Sequence, residues 1–224
     1  MEIINLSNDA VGEAQAKQPA SSTNVITAIK PAAKNENRVN IFIDEKFAFS
    51  LDLAQVVDFK LKVGKILDEP EIKKLKKASN FGKLYQRTLE WALTRPRSIR
   101  ETKDYLKKKQ FEKKEYGITD EDIEKVLEML LEKKYLDDQK FTEYYIENRF
   151  TKKGISKKRL KLELAKKGIS PEIIESTLET SGRDEAEEIK KVIAKKRARY
   201  DDEKLLQYLV RQGFDYELVK SILF

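Results

Sequence analysis

Three short segments of the chain resemble one another, and this internal repetition limits the folds that the chain can adopt. The segments are Tyr105–Phe111 (YLKKKQF), Glu163–Ile169 (ELAKKGI) and Tyr208–Phe214 (YLVRQGF). Each ends a stretch with apolar residues at helical spacing, and each precedes another such stretch. Intervals of roughly 45 to 60 residues are typical of tandem helical arrays, whose units bury their apolar faces against their neighbours. We therefore predict three units of three helices each.

Apolar residues after Asn80 recur at helical spacing to the end of the chain, which predicts the helices of these units. The first helix should end near Arg95, because the residue before Pro96 is disfavoured in helical conformation. The second should begin at Ser98, because Ser98 and Glu101 have the spacing of a capping box. The first unit therefore has a clear boundary between its first two helices.

Glycines mark the ends of the second helices in two of the three units. Gly168 and Gly213 fit the left-handed position just beyond a helix end, which glycine adopts at little cost. The first unit has Gln110 at this position and an additional charged segment, residues 111–119, before its third helix. We therefore predict a longer connection of different shape in the first unit.

The part of the chain before these helices has a different pattern. Apolar residues alternate with polar ones in 39–43 and in 47–51, which predicts a β-hairpin with one buried face. Residues 25–29 are a candidate third strand. A sheet with one apolar face needs a cover, and short helices at 53–57 and 69–75 could supply it.

The expected fold class is mostly α, an elongated, solenoid-like array of three three-helix repeats that follows a small N-terminal β-containing module with short helices. The predicted divisions are a flexible tail over 1–23, an α+β module over 24–78, and helical repeats over 79–136, 137–180 and 181–224.

Composition excludes several classes of chemistry. The chain contains neither cysteine nor histidine, so disulfides, thiolate catalysis, a Ser-His-Asp triad and an ordinary zinc site are ruled out. Carboxylates, lysines and Mg²⁺ are the remaining means of catalysis. No apolar run approaches the ~20 residues of a membrane span, and no signal peptide is evident at the start of the sequence. We expect a cytoplasmic protein without a membrane partner.

The charge of the chain is concentrated in bands. The net charge is +7 and the pI is near 9.2. Residues 151–170 contain eight basic side chains and one acidic side chain, whereas residues 119–143 contain nine acidic side chains and four lysines. A polyanionic or acidic partner would explain the basic band, although many basic soluble proteins have no such partner.

An ordered set of motifs over about residues 80 to 224 resembles the RecX family of recombination regulators. The residues that carry the resemblance are Arg95, Pro96, Arg97 and Ser98 with Glu101 and Leu106; Tyr135, Leu136, Asp137 and Asp138 with Phe141, Tyr145 and Arg149; and Lys153 and Gly154 followed by Leu164, Lys167, Gly168 and Ile169. The ordered combination is specific, while any one piece alone would be weak.

This resemblance implies a function in DNA repair, recombination and the SOS response. Members of the family modulate the RecA recombinase, usually by inhibiting it. They bind in the groove of the RecA filament on DNA and block its growth or promote its disassembly. The resemblance also implies tandem three-helix repeats. The family has no catalytic residues to transfer, so we expect a regulator that is not an enzyme and has no cofactor. We also expect a monomer.

The second helix of the middle unit is the best candidate for the interacting surface. At ~100° per residue, Leu160 and Leu164 lie together on the wheel, and one leucine lies among cations on the opposite side. Our hypothesis is that this face meets DNA phosphate, single- or double-stranded, or an acidic surface of RecA. The candidate residues are Arg149, Lys152, Lys153, Lys157, Lys158, Arg159, Leu162, Lys166 and Lys167, with Lys103, Lys107 and Lys108 as a second, weaker patch.

Several alternatives remain open from the sequence. Asp137 and Asp138 could cap the next helix, bind a metal or make an acidic contact. Arg149 could anchor a carboxylate on another helix or contact a partner. At the level of function, the chain could instead occupy single-stranded DNA without a specific protein partner. A Mg²⁺-dependent enzyme built on the two aspartates would need a third ligand, which the sequence does not show.

Overall fold

The computed structural model describes residues 23–33 and 35–224, with only the backbone described at residue 115. The tail expected over 1–23 lies outside the described residues except for Thr23. The chain divides into two compact units with a boundary after Lys76.

The compact unit that ends at Lys76 contains an antiparallel sheet of three strands, as the alternating pattern predicts. The strands are β1 (Ile26–Ala32), β2 (Asn35–Ile43) and β3 (Lys46–Asp52), and they lie in the order β1-β2-β3. β3 leads directly into the helix α1 (Leu53–Asp58), in which Gln55 and the N-cap Asp52 form a capping box.

One side chain of the predicted hairpin does not lie on the buried face. Ile41 and Phe49 are paired across β2 and β3 and are buried, but Phe47 is 57% exposed. The register shifts between Ile41 and Phe42, so that Phe42 pairs with Phe47. Because a bulge inserts one residue into a ladder of period two, the side chain of Phe47 is moved to the other face.

The expectation of a short helix over 69–75 and a separate helix after Asn80 is wrong. A single helix, α2 (Glu69–Leu93), covers both. Its start is capped reciprocally by Asp68 and Glu71. Residues 76–82 contain no proline, and Gly82 does not adopt a positive φ, so no residue there ends the helix. The predicted division between 78 and 79 therefore lies inside α2.

The remaining helices follow at short intervals. They are α3 (Ile99–Glu112), α4 (Asp120–Glu132), α5 (Asp138–Asn148), α6 (Lys157–Lys166), α7 (Pro171–Thr180), α8 (Glu185–Lys196), α9 (Asp202–Arg211) and α10 (Tyr216–Leu223). Every one of them has a Ser, Thr or Asp N-cap whose side chain accepts a backbone N–H of the first turn. The predicted longer connection of the first repeat contains a 3-10 turn, Lys114–Tyr116.

Three separate hydrophobic clusters form the cores of these helices. The first joins α2, α3 and α4 and includes Leu106 and Ile123. The second joins α5, α6 and α7 around Phe141 and Leu164. The third joins α8, α9 and α10 and includes Ile189, Leu205 and Leu209. The predicted tandem array of three-helix repeats is confirmed, and we call α2–α4, α5–α7 and α8–α10 the first, second and third repeats.

Candidate interaction surface

The contacts between neighbouring repeats are built in the same way twice. The hydroxyl of Ser98, the N-cap of α3, donates to the carbonyl oxygen of Lys167 at 2.9 Å. The hydroxyl of Ser156, the N-cap of α6, donates to the carbonyl oxygen of Gln212 at 2.7 Å. Each serine therefore caps its own helix and also binds the end of the second helix in the following repeat. We call these contacts the first joint and the second joint.

Glycine is required at both joints for two reasons. Gly168 and Gly213 have φ values of +83° and +91°, as the sequence predicts. A Cβ at position 168 would lie 2.8 Å from the Cβ of Arg100, and one at 213 would lie 3.0 Å from the hydroxyl of Ser156. The backbone thus turns left-handed where it also approaches the preceding repeat.

The two aspartates at the start of α5 have structural roles. Asp137 caps α5 by accepting from the N–H of Lys140, as one of the sequence alternatives predicts. Asp138 accepts from the N–H of Ile99 at 2.9 Å and so contributes to the first joint. Burial raises the pKa of Asp138. Among the described residues, no group of three or more acidic side chains is arranged to hold a metal ion.

An ionic cluster closes the first joint. Glu101 accepts hydrogen bonds from Lys167 at 2.5 Å and from Arg95 at 3.3 Å. Burial opposes ionisation of Glu101, but these hydrogen bonds outweigh it and lower its pKa. The capping box predicted for Ser98 and Glu101 is therefore only half formed, because the carboxylate of Glu101 is directed to the two cations instead of to the Ser98 backbone.

A second ionic cluster lies within the middle repeat. Glu163 accepts from Arg149 at 2.7 and 3.0 Å, from the hydroxyl of Tyr145 at 2.6 Å and from Arg159 at 3.3 Å. The hydrogen bonds from Arg149, against the effect of burial, lower the pKa of Glu163 to about 2. Burial and the bond to Glu163 raise the pKa of Tyr145 to about 12. Arg149 thus anchors an inter-helix carboxylate, one of its two predicted roles.

The predicted secondary patch on the first repeat is neutralised by ion pairs. Lys103 lies 2.6 Å from Glu124, Lys107 lies 2.7 Å from Asp120, and Lys108 lies 3.7 Å from Glu112. All three pairs are largely exposed, so each contributes little to stability. Their effect is to cancel the positive charge of this patch.

The helix α6 presents the face that the helical wheel predicts. Leu160 and Leu164 are buried, while Leu162 is 58% exposed between Lys158 and Lys166. We call Lys158, Leu162 and Lys166 the α6 stripe. Lys152, Lys153 and Lys157 are exposed at the N-terminal end of the helix. Within the described part of the chain, no ion pair joins an acidic side chain to Lys152, Lys153, Lys157, Lys158 or Lys166.

Sequence reasoning did not find the serine contacts or the carboxylates that organise the joints. The available signal was a serine at the start of both second helices, in Arg97-Ser98 and Ile155-Ser156. A capping serine is ordinary in a helical protein, so it does not predict a partner in another repeat.

Comparison with known proteins supports this architecture. The "Regulatory protein RecX N-terminal domain" model matches residues 24–68, and the "RecX, second three-helix domain" model matches residues 137–178. The Regulatory protein RecX of Bacillus licheniformis is 36% identical over 206 residues, which cover 88% of this chain and 76% of that protein. The chain belongs to the RecX family. The Regulatory protein RecX of Clostridium tetani is 30% identical and covers 91% of this chain and 94% of its own length.

A solved structure of the family has the same fold. The structure described as "Crystal structure of regulatory protein RecX" is 25% identical, with a TM-score of 0.64, and the match covers 88% of this chain and 98% of that one. None of the helices in residues 23–33 and 35–224 has the length and apolarity needed to cross a membrane.

Proposed function

We propose that this protein regulates RecA by binding its filaments on DNA and inhibiting their growth and ATP hydrolysis. Membership of a family of regulatory proteins supports the regulatory role, and the motifs of residues 80 to 224 support RecA as the target. We further propose that it acts in the cytoplasm as a monomer and not as an enzyme. The division into repeats over 79–136, 137–180 and 181–224 stays a prediction.

One observation carries this proposal, namely the unneutralised basic face of α6. The α6 stripe combines an exposed leucine with two lysines, and an apolar contact flanked by cations is suited to an acidic protein surface or to phosphate. By contrast, Lys103, Lys107 and Lys108 already have acidic partners. These ion pairs are the physical reason why this patch should contribute less, as the sequence predicts.

Three of the candidate residues support this face in a different manner. Arg149 and Arg159 bind Glu163, and Lys167 binds Glu101. In our proposal these side chains hold the helices in place, while Lys152, Lys153, Lys157, Lys158, Leu162 and Lys166 contact the partner. Substitution of the first group should reduce stability as well as inhibition.

The proposal is tested with two matched triple variants in an assay of ATP hydrolysis by RecA on single-stranded DNA. One variant carries Lys157→Gln, Lys158→Gln and Lys166→Gln, and the other neutralises Lys103, Lys107 and Lys108 in the same way. Both lose three positive charges. We expect the first variant to need about tenfold more protein for half-inhibition and the second less than about twofold more. Circular dichroism checks that both remain helical.

The ratio of protein to DNA separates this proposal from simple occupation of single-stranded DNA. A regulator of filaments should stop ATP hydrolysis at amounts far below those that saturate the DNA. If inhibition appears only near saturation and declines steeply with salt, the protein acts by covering the strand. Equal inhibition by both triple variants would show that the α6 face is not the contact surface.

A further inference from the structure

A cleft at the second joint is lined by basic side chains, of which only Lys153 belongs to the face proposed above to contact a partner. Its volume is about 370 Å³, and its walls come from both the second and the third repeats. Its basic side chains are Lys153 and Arg159 from one side and Lys195 and Lys196 from the other. None of the described residues that line it is acidic. Four cations thus surround a space of the size that a small ligand occupies.

The first joint shows why this cleft is unusual. The third residue after the joint serine is Glu101 at the first joint, where it binds Lys167 and Arg95. At the second joint the same position is occupied by Arg159, which donates to the side-chain oxygen of Gln212 at 2.6 Å. An acid that accepts from a cation has been replaced by a cation that donates to a neutral amide.

This exchange leaves one further cation at the second joint without a counter-charge. Arg95 lies three residues before Ser98, and Lys153 lies three residues before Ser156. Arg95 reaches Glu101 at 3.3 Å, whereas the position equivalent to Glu101 offers Lys153 only another cation. The ammonium group of Lys153 lies 5.7 Å from the ring centroid of Phe150, an aromatic contact that does not neutralise its charge.

The third repeat adds two lysines to the same cleft. Lys196 lies 5.3 Å from the ring centroid of Tyr208, and Lys195 is exposed. In the part of the chain that the structure describes, no acidic side chain forms an ion pair with either lysine. Arg159 is the exception among the four cations, because Glu163 lies 3.3 Å from its Nε. An anion in the cleft would therefore supply the counter-charge that Lys153, Lys195 and Lys196 lack.

We propose that the cleft at the second joint binds a phosphate-bearing ligand. Lys153, Lys195 and Lys196 hold its phosphate oxygens, and Arg159 closes one side of the site. Phosphate suits the cleft better than a single carboxylate, because several oxygens and more than one negative charge can be shared among converging cations. Two sources have this chemistry: the backbone of a nucleic acid strand and a free polyphosphate group. The site does not rest on the proposed action on RecA.

Calorimetric titration of the full chain tests the site without RecA present. The probes are a single-stranded thymidine oligonucleotide, inorganic tripolyphosphate and an acidic glutamate peptide, each at about 100 mM salt. The double variant Lys195→Gln with Lys196→Gln removes two ligand contacts and should weaken phosphate binding about tenfold. Its matched control removes Lys190 and Lys204 of the same repeat, which are paired with Glu187 and Asp201, and should bind within about twofold of the wild type.

A second variant tests the comparison between the joints. Arg159→Glu combined with Gln212→Lys places the Glu101 and Lys167 pair of the first joint into the second. We expect this variant to lose phosphate binding, because the new carboxylate supplies the missing counter-charge to Lys153. Its unfolding temperature should decrease, because Arg159 also pairs with Glu163, and circular dichroism checks that the variant is folded at the temperature of the titration.

Each result supports or overturns the site. Binding of the oligonucleotide alone, lost in both variants, supports the site with a strand as the source. Binding of tripolyphosphate, lost in both variants, supports it with a free polyphosphate as the source. The proposal is overturned if neither phosphate probe binds the wild type, if only the glutamate peptide binds, or if both variants bind phosphate as tightly as the wild type.

Discussion

Removal of the hydroxyl group of Ser156 should destabilise the helical unit about twice as much as removal of that of Ser170. Both serines are N-caps of helices in the second repeat. Within the described residues, the side chain of Ser170 makes one hydrogen bond to the backbone, which it accepts from the N–H of Ile173 in the first turn of its own helix, at 3.5 Å. Ser156 accepts from the N–H of Arg159 at 3.2 Å and also donates across the second joint at 2.7 Å. Alanine at 156 therefore removes two interactions.

The magnitude follows from these contacts. Loss of an N-cap costs about 1 kcal/mol of unfolding free energy, and loss of a hydrogen bond at a buried site costs about 1 kcal/mol more. Ser156 is 1% exposed, so water cannot replace the lost donor without a rearrangement. We expect Ser156→Ala to cost about 2 kcal/mol and Ser170→Ala about 1 kcal/mol. For a unit of this size these values correspond to decreases in Tm of about 4–8 °C and 2–4 °C.

Urea denaturation followed by circular dichroism measures both values. Ser98→Ala provides an independent repetition, because Ser98 is fully buried and makes the equivalent bond across the first joint. Equal losses for Ser156→Ala and Ser170→Ala would refute the reasoning, since the bond across the joint would then contribute nothing. A loss at Ser156 with none at Ser98 would show that the two joints are not energetically equivalent.

Three further outcomes are expected. Gly168→Ala should lower the free energy of unfolding by about 1–3 kcal/mol, because the φ of Gly168 is +83° and the new Cβ would lie 2.8 Å from the Cβ of Arg100. Gly182→Ala, at a positive φ but in open space, should lower it less in the same denaturation experiment. Glu163, with a pKa of about 2 against an ordinary 4.5, stabilises the fold above pH 4.5 and loses this contribution as the pH falls towards 2. The difference in unfolding free energy between the wild type and Glu163→Gln should therefore shrink over that interval. A constant difference would contradict this role of Glu163. Leu162→Ser should change stability by less than about 0.5 kcal/mol, since the side chain is 58% exposed, but should weaken inhibition of RecA; unchanged inhibition excludes Leu162 from the contact.

Local signals in the sequence predicted most of the helical array. The predicted start at Ser98 coincides with an observed N-cap, and the glycines at 168 and 213 have the predicted left-handed conformation. These features depend on side chains and backbone groups within about one helical turn, so they are visible in a short window of sequence. The resemblance to the RecX family also came from local motifs in a fixed order.

The errors came from features that local pattern does not determine. The pattern predicts a short helix over 69–75 and a separate helix after Asn80, although the single helix α2 covers both. Phe47 was placed on the buried face because the period of two was extended across a bulge. In both cases the conformation depends on packing against a neighbouring strand or helix, which a local sequence pattern does not contain.

The α6 face was the best candidate from the sequence, and the structure divides its residues into two groups. From the sequence alone, eight cations and one acid within residues 151–170 show that a basic surface must exist, because charged side chains on one side of an amphipathic helix are exposed. Which cations remain unpaired could not be read from the sequence. Ser98 and Lys167 are 69 residues apart, and Ser156 and Gln212 are 56 residues apart. Only the packing of one repeat on the next brings such residues together. It gives Glu101 a cation to bind at the first joint, whereas Lys153, Lys195 and Lys196 at the second joint have no ion pair with an acid of the described residues.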